Sequence, residues 1–238
     1  MWTGYAGGFA FIRLRATNQN TLDLMTTFPH YVAVPKSGFG PAVLVLHSWW
    51  GLNPFFKRLC DRFARAGFVA LAPDLYAGRV ATTPTEAKAL RSESTAKRKT
   101  PAYKLLIAAI EQLRTNEAVQ GSRVALVGFS MGGHWALWLA QRPELPIAET
   151  VVFYAARDGN YTKSKSRFLF HFAESDDWVS AASAKKLKTS LATANADATY
   201  YTYPGTAHWF FESDRKDAYN ETAAASAWKR TIVFLNEV

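Results

Sequence analysis

The sequence predicts an α/β fold in which a mostly parallel sheet is covered by helices on both faces. Three observations carry this. Short apolar runs alternate along the chain with segments of helical period. Several of those runs are apolar at consecutive positions, as strands buried on both faces require. The length of 238 residues fits one large domain with a single core.

Taken in order, residues 1–28 are rich in Gly, Thr and Asn without a clear period, and are expected to form an N-terminal extension ahead of a single domain over 29–238. Met25, just before the regular pattern, is an alternative start. The first strands are expected at Tyr31–Val34 and Val43–His47. A helix over Pro54–Ala66 places Phe56, Leu59, Cys60 and Phe63 on one face and ends at Gly67. A strand at Val69–Ala72 follows. Gly78–Thr100 then reads as a long polar link bordering a pocket, since loops of that length in compact domains are often functional. Ala102–Arg114 is helical, with Leu106, Ala109, Ile110 and Leu113 on one side. Strand Val124–Val127 leads to a mostly apolar, deeply buried helix that starts at Met131 and stops before Pro143. Strands at Val151–Tyr154, Phe168–Phe172 and Thr199–Tyr203 are separated or followed by helices over Ala181–Leu191 and Asn220–Leu235.

Composition excludes several classes. Half the residues are apolar and a fifth charged, which is ordinary for a globular enzyme and wrong for a disordered chain. No stretch approaches the ~20 apolar residues of a membrane span. Residues 1–11 lack the positive start of a signal peptide, so a cytoplasmic protein is the expectation. The formal charge of +9 peaks at Lys97-Arg98-Lys99, without zinc-finger spacing or an aromatic–basic stripe; a basic surface favouring anionic substrates is expected rather than nucleic-acid binding. Cys60 is the only cysteine and sits on an apolar stripe, so it reads as core. No His/Cys/carboxylate cluster has ligand spacing, and neither metal nor cofactor is expected.

The chemistry concentrates at Gly128-Phe129-Ser130-Met131-Gly132, a G-x-S-x-G between a buried strand and an apolar helix, followed by Gly133. In that context it is the nucleophile elbow of an α/β-hydrolase fold, a strained turn that exposes a serine Oγ at a helix N-terminus. The alternative is a capping serine at a glycine-rich helix start. A serine nucleophile needs a base, and the base an orienting acid, in the chain order Ser, Asp or Glu, His. Of the downstream histidines, His134 is on the buried helix and His171 within a strand, whereas His208 follows the last strand on a loop. The acid comes from Glu174-Ser175-Asp176-Asp177-Trp178 after strand Phe168–Phe172, with Asp176 the first choice and Asp177 the alternative. For the oxyanion, the backbone N–H of Met131 and that of Trp49, in Leu46-His47-Ser48-Trp49-Trp50-Gly51, are the expected donors.

These blocks resemble the dienelactone hydrolase family over roughly residues 30–238. The resemblance rests on His47-Ser48-Trp49-Trp50-Gly51-Leu52-Asn53, Ala72-Pro73-Asp74-Leu75-Tyr76, Gly128-Phe129-Ser130-Met131-Gly132-Gly133, Asp176, and Pro204-Gly205-Thr206-Ala207-His208. It implies that fold, that triad order, and hydrolysis of esters or lactones. The best-known members carry cysteine where this chain has Ser130, and glutamate where it has Ser48. Members that hydrolyse dienelactone hold the substrate carboxylate partly with an arginine shortly after the histidine; here that stretch is Trp209-Phe210-Phe211-Glu212, and Glu212 would repel an acid, while Arg91 could supply a charge.

Ser48, Trp50, Trp178, Trp209 and Phe210 are the expected pocket residues, and so aromatic a wall suits a flat or apolar acyl or lactone group. The expectation is a carboxylesterase or lactonase working through an acyl-serine, as a monomer or homodimer, on a small molecule. Two rivals stand beside it: a thioester or amide hydrolase using the same site, and a small-molecule receptor that keeps the fold without turnover.

Overall fold

The computed structural model describes residues 29–96 and 102–237. The expected extension over 1–28 and the Lys97-Arg98-Lys99 cluster lie outside the described residues.

Seven strands form one sheet: β1 His30–Ala33, β2 Gly40–Leu46, β3 Val69–Pro73, β4 Val119–Phe129, β5 Ile147–Phe153, β6 Arg167–Ala173 and β7 Ala198–Tyr203. Their spatial order is β1-β3-β2-β4-β5-β6-β7, and every neighbouring pair is parallel except β1 with β3. The helices are α1 Pro54–Arg65, α2 Pro84–Ala96, α3 Ala102–Arg114, α4 Met131–Ala140, α5 Ala181–Thr193 and α6 Glu221–Asn236.

The strand pattern explains the two-sided covering. In β2, Val43 and Val45 face one apolar layer with α1 and α6, through Phe56, Phe63, Ala227 and Phe234. Ala42, Leu44 and Leu46 alternate to the other face, against Leu106 and Ile110 of α3 and Ala136 and Leu139 of α4. Farther along that side, Leu187 and Leu191 of α5 cover Phe168 and Phe170 of β6. Helix α1 begins where Asn53 accepts hydrogen bonds from the N–H groups of Phe55 and Phe56, with Pro54 in the first turn.

The expected link over 78–100 contains a helix, α2. Its start is a capping box: Thr83 Oγ1 accepts from the Glu86 N–H, and Glu86 reaches back to the N–H groups of Thr82 and Thr83. Among its described side chains only a narrow stripe, Ala87 and Leu90, is buried, so the segment looks polar in sequence. The Thr83-Pro84-Thr85-Glu86 pattern is the signal that marks it.

The chain passes from β2 to β3 on one side and then returns to β4 on the other side of β2, so the order reverses between β2 and β4. In open α/β sheets, ligands bind at the carboxyl ends of the strands at such a reversal. The register pairs Leu46 with Gly128, so the loop that starts at His47 leaves β2 beside the end of β4 at Phe129.

Candidate active site

Ser130 follows β4 directly and is the residue before α4, with φ 50° and ψ −111°. A non-glycine residue rarely adopts this region, and the packing around it shows what imposes the turn. A Cβ on Gly132 would lie within van der Waals overlap of the Leu46 and His47 carbonyl oxygens; one on Gly128 would strike the Gly132 backbone, and one on Gly133 the Ala155 side chain. The start of α4 therefore rests directly on the end of β2, a contact only glycine permits. The Ser130 side chain makes no cap bond to α4.

Instead its Oγ lies 2.8 Å from His208 Nε2, and His208 Nδ1 lies 2.8 Å from both carboxylate oxygens of Asp176. Nδ1 faces only acceptors, so it carries the ring proton and donates to Asp176; Nε2 is left to accept from the serine hydroxyl. The His208 and Asp176 side chains are both nearly buried, with 5 % and 7 % exposure, which keeps the pair out of solvent screening. Asp176 Oδ1 also accepts from the N–H groups of Trp178 and Val179, fixing the carboxylate after β6. Asp177, its neighbour in sequence, is exposed.

The loop after β2 is held from two sides. His47 donates from Nδ1 to the Ser48 carbonyl at 2.6 Å and accepts at Nε2 from the Leu75 N–H at 3.1 Å, pinning the Asp74-Leu75-Tyr76 turn beneath the site. In turn Tyr76 donates its hydroxyl to the Met131 sulfur. Met131 is the first residue of α4, so its N–H has no acceptor within the helix.

These groups open on a cavity of about 250 Å³. Trp49, Trp178 and Trp209 form its aromatic wall, with ring centroids 4.7 Å apart for Trp49–Trp178 and 5.8 Å for the stacked Trp49–Trp209 pair. Trp178 is half exposed, and the Trp209 ring meets His208 edge-on at 4.7 Å. Arg91, Arg157 and His134 line the other side. His134, expected within the buried helix, is exposed to the cavity; crowding by protein first, then Arg157, Arg91 and His208, holds its imidazole below the usual range and neutral.

Three expected pocket residues do not reach the cavity. Ser48 is fully buried and donates to Glu212 Oε2 at 2.8 Å. Trp50 is buried beneath Trp49 and Trp209, with the Arg215 guanidinium 4.3 Å from its ring centre. Phe210 points into the core against Tyr154 and Tyr203. All three are neighbours in sequence of a wall tryptophan, Trp49 or Trp209, and are buried beneath the wall rather than in it. Glu212 likewise does not face the cavity, so it presents no charge to a bound acid.

Tyr154 was read from the sequence only as a strand end. The chain leaves β5 there with φ 37°, and its fully buried ring packs 4.9 Å from the His208 ring at the cavity edge. Burial first, then the Glu212 carboxyl, raises its phenol well above the usual range, so it stays an O–H donor, to Glu212 Oε1 at 2.8 Å. Away from the site, His171 is a core histidine, bonded to Tyr203 and Thr231, and burial pushes it down to about 3. Cys60 is buried in the layer under α1 and its thiol is pushed up by burial.

Comparison with known proteins places the chain by family and fold. A curated protein of Aquifex aeolicus, whose name provisionally assigns it as a carboxymethylenebutenolidase, is 32% identical over 211 residues, covering 86% of this chain and 90% of its own. Among solved structures, the dienelactone hydrolase-like promiscuous phosphotriesterase P91 from metagenomic libraries superposes with a TM-score of 0.75 at 25% identity, covering 85% of this chain and 88% of that one. The α/β-hydrolase enzyme MGS-M1 from a Medee basin deep-sea metagenome shares the fold, with a TM-score of 0.63 at 12% identity over 94% of this chain and 89% of that one. The profile of the dienelactone hydrolase family matches residues 28–238, and the chain belongs to that family.

Proposed function

We propose that this hydrolase cleaves a carboxylic ester or lactone through an acyl-serine intermediate, with Ser130 as nucleophile, His208 as base and Asp176 as the acid that orients it. The observation that carries the reading is the unbroken hydrogen-bond line from Ser130 Oγ through His208 to Asp176, at the wall of a cavity. Ser130 Oγ attacks the carbonyl carbon while His208 Nε2 takes its proton; the tetrahedral oxyanion forms against the Met131 and Trp49 amides. Collapse breaks the bond to the leaving oxygen, which receives the proton from His208. Water then attacks the acyl-serine by the same exchange and releases the acid. Asp176, unprotonated throughout, stabilises the imidazolium and keeps Nδ1 the protonated nitrogen.

The substrate reading is a flat, unsaturated or aromatic acyl or lactone group bearing negative charge. Its support is the indole wall formed by Trp49, Trp178 and Trp209, with Arg91 and Arg157 as the lining side chains of fixed charge. The reading extends to a cytoplasmic enzyme, monomer or homodimer, built on one domain over 29–238. The test is a fluorophosphonate probe with p-nitrophenyl acetate turnover alongside. Ser130→Ala abolishes labelling and lowers turnover by up to ~10⁶-fold. Retained turnover in that variant overturns the mechanism, and a wild-type protein that binds esters without turning them over makes the chain a receptor.

A further inference from the structure

The mechanism uses neither Glu212 nor the two hydroxyls that hold it, yet this is the most deeply buried acid of the described chain. Glu212, Ser48 and Tyr154 are each fully buried. Ser48 Oγ donates to one carboxyl oxygen and Tyr154 OH to the other, both at 2.8 Å. Each partner belongs to a different wall of the site. Ser48 immediately precedes Trp49, in the loop after β2. Tyr154 directly follows β5 and packs its ring against His208. Glu212 itself lies in the turn that carries His208, its N–H donating to the Trp209 carbonyl at 2.9 Å and its carbonyl accepting from the Arg215 N–H at 2.8 Å.

We propose that Glu212 is a positioning residue, whose carboxyl clamps the Trp49 loop, the Tyr154 ring and the His208 turn into one register. The inference rests on the serine-hydrolase reading above, because it is the amide of Trp49 and the imidazole of His208 that the clamp would hold. Two hydroxyls, one from each wall, meeting a single buried carboxyl are a costly arrangement for packing alone, since an apolar side chain of the same shape would need no partners. Burial pushes the Glu212 carboxyl up to about 8, helped by Asp214 and opposed by its hydroxyl partners and Arg215. At neutral pH the carboxyl is then largely protonated, its O–H donating to Ser48 Oγ while Tyr154 still donates to the other oxygen, so the clamp persists without a full charge near a developing oxyanion. A glutamine side chain can take its place, its carbonyl accepting from Tyr154 and its N–H donating to Ser48.

The experiment measures kcat and KM on p-nitrophenyl acetate for Glu212→Gln, Glu212→Ala, Ser48→Ala and Tyr154→Phe, with circular dichroism and thermal melts on the same samples. Glu212→Gln keeps kcat within about threefold, whereas folded Glu212→Ala loses about 10- to 100-fold in kcat with KM little changed, because the reacting groups drift from register while the cavity persists. A folded Glu212→Ala with wild-type kcat overturns the proposal, as does a Glu212→Gln as impaired as the alanine variant. If Glu212→Ala does not fold, the single-hydroxyl variants decide: a lowered kcat at constant KM in both supports the clamp, and unchanged kcat in both refutes it. Ser130→Ala run in parallel separates the two failures. Turnover surviving in Ser130→Ala sinks the site reading itself, whereas turnover lost there and untouched by the clamp variants sinks only the clamp.

Discussion

Replacing Glu212 by glutamine removes a buried proton site while preserving its shape, and the consequence for stability is set by pH. The carboxyl binds its proton near the ordinary 4.5 in the unfolded chain and near 8 in the fold, with burial the largest cause. Between those values the folded state holds more protons than the unfolded state. The stabilisation is thus complete below 4.5 and is lost as pH rises through 8. At about 1.4 kcal/mol per pH unit, the window corresponds to a loss on the order of 3–5 kcal/mol. Glutamine does not titrate, so the wild-type advantage over Glu212→Gln should fall by that order between pH 5 and pH 8. The depressed His171 imidazole contributes an opposite trend on the acid side, lost as pH drops from its usual range towards 3, but equally in both proteins. Urea unfolding followed by tryptophan fluorescence at pH 5, 6, 7 and 8 gives the difference directly. A difference that stays flat within about 0.5 kcal/mol across that range refutes the reasoning, because it means that the two hydroxyl donors already hold the carboxylate charged at pH 5.

Asp176→Asn should lower kcat by about 10⁴-fold by admitting the wrong His208 tautomer, and Asp177→Asn should leave it nearly unchanged; steady-state rates check both, and a large loss at 177 reverses the assignment. Gly132→Ala should cost about 100-fold or more in kcat, because its Cβ cannot fit against the Leu46 and His47 carbonyls without parting α4 from the end of β2. Phe129→Ala should destabilise by about 3–5 kcal/mol in urea titrations, since the fully buried ring stacks on Phe153 at 4.5 Å and meets Phe56 and Phe211.

What was legible in the sequence followed from period and turn chemistry. The strand that runs into Ser130 announced itself because its last six residues, buried in the sheet, are apolar or glycine and the glycines beside Ser130 have no other common use. Helix α2 was hidden because, among its described side chains, the buried stripe is only Ala87 and Leu90 amid Ser, Thr and charges, and apolar periodicity is weak evidence where tertiary contact is that thin. The pocket wall was half legible. Aromatic composition located it near Trp49, Trp178 and Trp209, but direction within a loop depends on backbone angles, which is why Trp50 and Phe210 went underneath. Glu212 was the largest misreading: a carboxylate four positions after the histidine reads as a pocket charge that repels an acid until its hydroxyl partners, 164 and 58 positions away, are brought to it.

Backbone strain gives an independent view of where the molecule is specialised. Among the described residues, five other than glycine have positive φ, and Ser130, Tyr154 and Trp209 among them border the cavity. Each such residue costs on the order of 1–3 kcal/mol and persists only where the surroundings over-determine it. The surroundings here do: the Ser130 N–H donates to the Phe153 carbonyl at 3.0 Å, and the Tyr154 N–H to the His171 carbonyl at 2.8 Å, so the ends of β4, β5 and β6 are laced together one residue past the sheet. That lacing turns the Ser130 hydroxyl up towards His208 and the Tyr154 ring across beside it, while the Glu212 turn brings the imidazole down to meet them. A relaxed backbone at Ser130, Tyr154 or Trp209 would leave the same side chains in the sequence and point them elsewhere, so the strained positions coincide with the candidate site because its side chains must converge there.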